Sequence, residues 1–249
     1  MLMDTHAHMC EEAFAPDLEQ VLHRAQKAGV DAVLAVGETL QDALRNLELA
    51  RQQEMLLPAA GLYPGHADLS QAIQICGLVR EHQARLAAIG EVGLDFWLAG
   101  TEEDKELQLQ VFDQFIELSL QTGLPLNVHS RSAGRHTVAR LLEKKAQKVQ
   151  MHAFDGKPKY ALPAVEQGYF FSFPPSLLRS RQKQKLAKQL PVSCMLPETD
   201  SPVLGPDPGT RNEPANLILV IQALAEIKDV SFAYMRSALE DNCRQLYGI

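Results

Sequence analysis

Five times along this 249-residue chain a short apolar run gives way to an acid or an imidazole. His6 and His8 stand at the end of the first run, and Glu91, His129, His152 and Asp200 stand at the ends of later ones. Six such side chains can act together only if the fold gathers the ends of separate extended segments at one place. Few architectures do that.

Eight runs read as strands, at residues 2–4, 32–36, 57–61, 88–90, 125–128, 149–151, 169–172 and 194–196. Between them lie stretches with helical spacing, such as Leu18, Val21, Leu22 and Ala25 before Gly29, or Leu107, Val111, Phe115 and Leu118 before Gly123. A glycine in each case offers the left-handed conformation that ends a helix. Eight strand–helix units in a chain of this length predict an α/β fold of the (β/α)8 TIM-barrel type, a single domain spanning residues 1–249. A doubly wound open sheet has the same alternation. The ligand positions favour the barrel, because closure brings the C-terminal ends of the first, fourth, fifth, sixth and eighth strands to one mouth, whereas an open sheet spreads them along a line.

Composition narrows the class. With 46% hydrophobic and 22% charged residues the chain is that of an ordinary globular protein. No signal-peptide pattern or apolar run long enough to span a bilayer is present, so a cytoplasmic protein without membrane association is expected. Cys10, Cys76, Cys194 and Cys243 are scattered with no Cys-x-x-Cys pair, as expected of reduced thiols rather than a disulfide frame or a cysteine-held zinc. The net charge of −7 speaks against general adhesion to nucleic acid but leaves room for a local basic patch. Nothing in the chain calls for an obligate protein partner.

His6 and His8 flank Ala7 in an extended segment, where side chains two apart share a face, so both imidazoles can reach one ion. Glu91 sits among Gly90, Gly93 and short apolar residues, as expected where backbones approach closely, and its two oxygens can bridge two ions. Each of these residues has an ordinary alternative. Glu91 could cap a helix, His129 or His152 could satisfy a buried hydrogen bond, and Asp200 could serve the turn before Pro202. Their common level at the strand ends weighs against those readings. Four imidazoles and two carboxylates form a mixed N/O donor set suited to zinc or manganese, and workable for magnesium with added waters. Six donors exceed what one hydrolytic ion needs, so two divalent ions sharing Glu91 are expected.

The strings Asp-Thr-His-Ala-His (residues 4–8), Ile-Gly-Glu-Val-Gly-Leu-Asp (89–95), Val-His-Ser-Arg (128–131), His-Ala-Phe-Asp-Gly (152–156) and Glu-Thr-Asp-Ser-Pro (198–202) resemble, in order, the motifs of the TatD family of metal-dependent deoxyribonucleases in the amidohydrolase superfamily. The resemblance extends to Arg211-Asn212-Glu213-Pro214 and is nearest to a branch typified by a human TatD-domain protein. It implies a metal centre held by His6, His8, Glu91, His129, His152 and Asp200, with Glu91 bridging. The chain departs from the family at Gly61-Leu62-Tyr63-Pro64, where the usual pattern is Gly-x-His-Pro. Tyr63 stands where a substrate-contacting histidine is expected, and His66 is a candidate to replace it.

A basic rim is expected around the same mouth. Arg131, Arg135, Lys157 and Lys159 follow the fifth and sixth strands, and Arg179, Arg181, Lys183 and Lys185 follow the seventh. Phosphate recognition and simple solvated helix faces are both open readings of these residues, with Arg131 and Arg135 the leading substrate contacts. Trp97, the sole tryptophan, is expected as core filler, with base stacking as the alternative.

The combined expectation is a metal-dependent phosphodiesterase-type hydrolase acting on DNA, trimming single strands or ends. A metal-bridging hydroxide would attack phosphorus, with Asp200 and Glu91 as catalytic groups and Asp200 accepting the proton. The alternative is a hydrolase of a small ester, lactone, amide or aminoacyl bond on the same centre. A third reading, a non-catalytic barrel that binds partners, gives no physical reason for six convergent metal donors.

Overall fold

The computed structural model describes residues 1–248. Eight parallel strands follow one another in sequence order, each hydrogen-bonded to the next: β1 (Met3–Ala7), β2 (Ala32–Ala35), β3 (Leu56–Ala60), β4 (Ala88–Gly93), β5 (Leu126–His129), β6 (Val149–Met151), β7 (Phe170–Phe173) and β8 (Met195–Pro197). The sheet closes where the chain beyond β8 pairs with the end of β1. Asp200 N donates to His6 O at 2.8 Å and His8 N donates to Ser201 O at 2.7 Å. The fold is the expected TIM barrel.

Among the described residues nine α-helices surround it: α1 (Leu18–Lys27), α2 (Leu40–Gln52), α3 (Leu69–Glu81), α4 (Glu102–Thr122), α5 (Gly134–Glu143), α6 (Pro158–Glu166), α7 (Arg181–Gln189), α8 (Leu217–Lys228) and α9 (Phe232–Tyr247). The longest, α4, has both its ends written locally. Thr101 and Asp104 form a reciprocal capping box at the start, and Gly123 takes φ 74° at the stop.

Inside the barrel, chemistry changes along the axis. At the N-terminal end Met3, Leu34, Ala59, Phe170 and Leu196 form an apolar plug with Cys243 and Leu246 of α9. Higher up, Thr5, Asn127, Gln150, Ser172 and Glu198 are buried polar residues joined by hydrogen bonds, such as Gln150 Nε2 to Ser172 Oγ at 2.9 Å and Asn127 Nδ2 to Thr5 O at 2.9 Å. Buried polar groups satisfied in this way form a rigid floor beneath the mouth.

Strands β1 and β4 run further than the apolar runs predicted, through His6 and Glu91. Both lose regular register at those residues, between Asp4 and Ala7 in β1 and between Ile89 and Val92 in β4. Such irregularities re-aim side chains while pairing continues on either side.

Candidate metal centre

The backbone around Glu91 leaves no room for side chains. A Cβ on Gly90 would stand 2.6 Å from Asn127 Cβ, and one on Gly93, at φ 142°, would stand 2.1 Å from His129 O. These two glycines let β4 and β5 approach closely enough for Glu91 and His129 to face each other. On the far side, Asp200 takes φ 55°, a left-handed conformation that aspartate tolerates. Asp200 is thus pinned by the closing hydrogen bond to His6 and turned into the barrel mouth.

The structure brings all six expected donors together. His6 Nε2 and His8 Nε2 lie 3.2 Å apart, and Asp200 Oδ1 lies 3.4 Å from the first and 3.5 Å from the second. Glu91 divides its oxygens. Oε2 faces His6 and His8 at 3.9 and 3.6 Å, while Oε1 faces His129 Nδ1 at 2.6 Å and His152 Nε2 at 3.8 Å. Asp200 Oδ2 lies 3.9 Å from His152 Nε2. Two donor triads able to hold an ion result, His6–His8–Asp200 and His6–Glu91–His152, all buried.

Partners behind the rings choose which nitrogen faces inward. His6 Nδ1 is 2.7 Å from Asn127 Oδ1, and the carbonyl oxygen can only accept a hydrogen bond, so Nδ1 donates and in the neutral ring Nε2 carries the lone pair. His152 Nδ1 is 3.0 Å from Glu198 Oε2, with the same consequence. For His129 the order is reversed: Nε2 faces Asp95 Oδ2 at 3.1 Å, and Nδ1 faces Glu91. Carboxylate or carbonyl support of this kind is how imidazoles are oriented toward metals. His6 Nε2 then presents its lone pair toward His8 Nε2 at 3.2 Å, a contact that a shared cation or a proton between the two nitrogens satisfies.

Electrostatics agree with a cation site. Burial opposes charging His6, yet the hydrogen bond to Asp200 and the field of Glu91 outweigh it and push its pKa up to about 10. Burial likewise opposes charge on His129, which Glu91 and Asp95 raise to about 9. Burial works against ionising Glu91 as well, but the surrounding imidazoles, His129 foremost, hold it well below the usual carboxylate range. The donor set and its field therefore fit a divalent metal.

The centre opens into a cavity of about 400 Å³ lined by His129, His152, Asp200, Arg131, Asp155 and Lys183, among others. Tyr63 does not line it. Its hydroxyl donates to Asp95 Oδ2 at 2.8 Å, and its ring meets His129 edge-on at 5.0 Å. His66 is exposed and pairs with Glu38 at 3.4 Å. Arg135 is exposed beside His136, at 3.1 Å. Trp97 is not core filler: it is 63% exposed, and the Arg131 guanidinium stacks over its ring at 3.9 Å. It lies in the segment between β4 and α4, where Arg131 rather than the core covers one face of the indole. Sequence reasoning gave no role to Asn127, Glu198 or Asp95. The available signal was a polar residue inside an apolar run, as in Leu126-Asn127-Val128.

A closed parallel barrel with buried imidazoles and carboxylates converging on one mouth defines a metal-dependent hydrolase. The sequence model of a family described as TatD related DNase matches residues 3–248, and the chain belongs to that family. It is similar to the human deoxyribonuclease TATDN3, with 42% identity across 99% of this chain and 94% of the human one. It is 31% identical to a metal-dependent hydrolase of Bacillus subtilis, YabD, over the whole of both chains. The crystal structure of YjjV, a TatD homologue from Escherichia coli K12, superposes with a TM-score of 0.92 at 26% identity, covering 100% of this chain and 98% of that one. Among the described residues no helix is long and apolar enough to cross a membrane.

Proposed function

We propose that this protein is a deoxyribonuclease that hydrolyses phosphodiester bonds, releasing nucleotides from the ends of DNA strands, with two divalent ions held by His6, His8, Glu91, His129, His152 and Asp200. The observation that carries the reading is the division of Glu91, whose Oε2 faces His6 and His8 while Oε1 faces His129 and His152. One carboxylate between two imidazole pairs is what a shared bridge requires. Bound there, divalent ions would supply Lewis-acid activation of water and offset phosphoryl charge.

The chain's own residues do the rest. Asp200 lines the cavity and is fixed by its backbone to β1, so its carboxylate is placed to accept the proton of the attacking water. Asn127, Glu198 and Asp95 keep the imidazoles from rotating. Arg131 lines the cavity wall and, with Trp97, forms an exposed stacked pair suited to a nucleobase. Beyond Asp155, which borders the cavity, a second groove of about 520 Å³ is lined by Lys157, Lys159, Arg181 and Lys185. In a chain of net charge −7, such a local basic groove favours a polyanionic strand over a neutral ester.

The test is release of nucleotides from end-labelled single-stranded DNA by purified protein, chelated and then resupplied with magnesium, manganese or zinc, with Glu91→Ala alongside. Metal-dependent release that vanishes in the variant supports the reading. No release with metal verifiably bound overturns it in favour of a small ester or amide substrate.

A further inference from the structure

One cation of the cavity stands apart from the rest of the basic rim. Lys183 lies in the first turn of α7, yet only 9% of it is exposed, and its side chain lines the cavity shared by His129, His152 and Asp200. Its neighbours in sequence, Arg181 and Lys185, instead border the outer groove. Lys183 Nζ donates to Ala153 O at 2.9 Å, a neutral acceptor.

The acids that face Lys183 are committed elsewhere. Glu198 receives Ser172 Oγ at 2.6 Å and Ala153 N at 2.9 Å besides supporting His152. Asp155 receives the Ser132 amide at 3.1 Å. Asp200 faces His6 and His8. Burial consequently pulls the Lys183 pKa below the usual lysine range despite the field of Glu198 and Asp200. A buried cation without a counter-ion is costly, and one of its three N–H donors is used. Two donors and a full charge remain for whatever occupies the cavity.

An occupant that completes this site carries negative charge on several acceptor oxygens. A neutral ester would leave the ammonium unpaired and lose affinity for that reason. We infer that Lys183 binds a non-bridging oxygen of a phosphoryl group held in the cavity, making this lysine the residue that selects phosphate-containing substrates. The substrate half of the inference rests on the phosphodiesterase reading above; the phosphate half rests on the cavity alone. Arg131, on the same cavity, supplies the second cation, and its stacking on Trp97 leaves its guanidinium edge available.

The experiment uses metal-loaded protein with three probes: inorganic phosphate as an inhibitor, bis(p-nitrophenyl) phosphate as a phosphodiester and p-nitrophenyl acetate as a neutral ester. Lys183→Gln is expected to weaken phosphate inhibition and to raise KM for the phosphodiester about 10- to 100-fold, the loss of a charge-assisted hydrogen bond. Its kcat should fall less, its metal content should match wild type, and Lys183→Arg should recover part of the affinity. In the wild type, saturating phosphate should protect Lys183 from acetylation, read by mass spectrometry, which keeps the test decisive if the variant does not fold. Unchanged phosphate inhibition in a folded Lys183→Gln, equal acetylation with and without phosphate, or no phosphate binding by the wild type would each overturn the assignment. Hydrolysis of the acetate but not of the phosphodiester, with phosphate still bound through Lys183, would instead overturn the nuclease reading and leave the phosphate site standing.

Discussion

Glu198 Oε2 accepts a hydrogen bond from His152 Nδ1 at 3.0 Å, and this contact turns the other nitrogen of the ring toward Glu91 and Asp200. Glu198 is fully buried and also receives Ser172 Oγ and Ala153 N, so it has no spare orientation. In Glu198→Gln the new NH2 group must face at least one of these donors. Metal affinity is expected to fall about 10- to 100-fold, the usual effect of removing a carboxylate behind a ligating imidazole. Isothermal titration of chelated protein with zinc or manganese checks this, and affinity within twofold of wild type would show that Glu198 does not set the ring.

The Tyr63 hydroxyl acts on the centre through Asp95, while its ring packs edge-on against His129. Its hydroxyl hydrogen bond to Asp95 Oδ2 supports the same oxygen that faces His129 Nε2. Tyr63→Phe should therefore lower metal affinity a few-fold, the share of one neutral hydrogen bond of about 1 kcal/mol. KM for DNA should stay near wild type. A large rise in KM at unchanged metal affinity would restore Tyr63 to direct contact with substrate.

Away from the centre, Asp113 on α4 is gripped by two cations of α5 and its end, Arg140 Nε at 2.7 Å and Lys144 Nζ at 2.8 Å. Partial burial opposes its ionisation, but these hydrogen bonds prevail and hold its pKa below the usual value. A folded pKa depressed in this way contributes stability that is present above the unfolded value, about 4, and is lost as pH falls through the folded one. Asp113→Asn should cost about 1 kcal/mol at pH 7. The gap in Tm between variant and wild type should close below about pH 4, as measured by thermal unfolding across pH.

All four cysteines are buried, and burial raises each thiol, with Cys10, Cys194 and Cys243 pushed up to about 12. Neither access nor thiolate is available. Native protein should release almost no colour from a disulfide reagent at pH 8, and the fully unfolded chain should titrate four thiols. Rapid reaction of one thiol in the native state would reveal an opening of the fold near it.

The alternation of eight apolar runs with helical spacing, and the six histidine and carboxylate side chains at the run ends, are local facts of the chain, and they were legible without a structure. Local patterns carry such information because strand period, helix spacing and glycine stops depend on near neighbours. What the tertiary structure alone decided is which atom faces which. His6 and Asn127 meet across 121 positions, and His152 and Glu198 across 46, because closure of the barrel places them side by side. The same closure sends Lys183 inward while Lys185, two residues on, faces the outer groove. It also leaves Trp97 outside the core. Contacts between distant segments depend on the three-dimensional path of the backbone, and spacing along the chain does not record it.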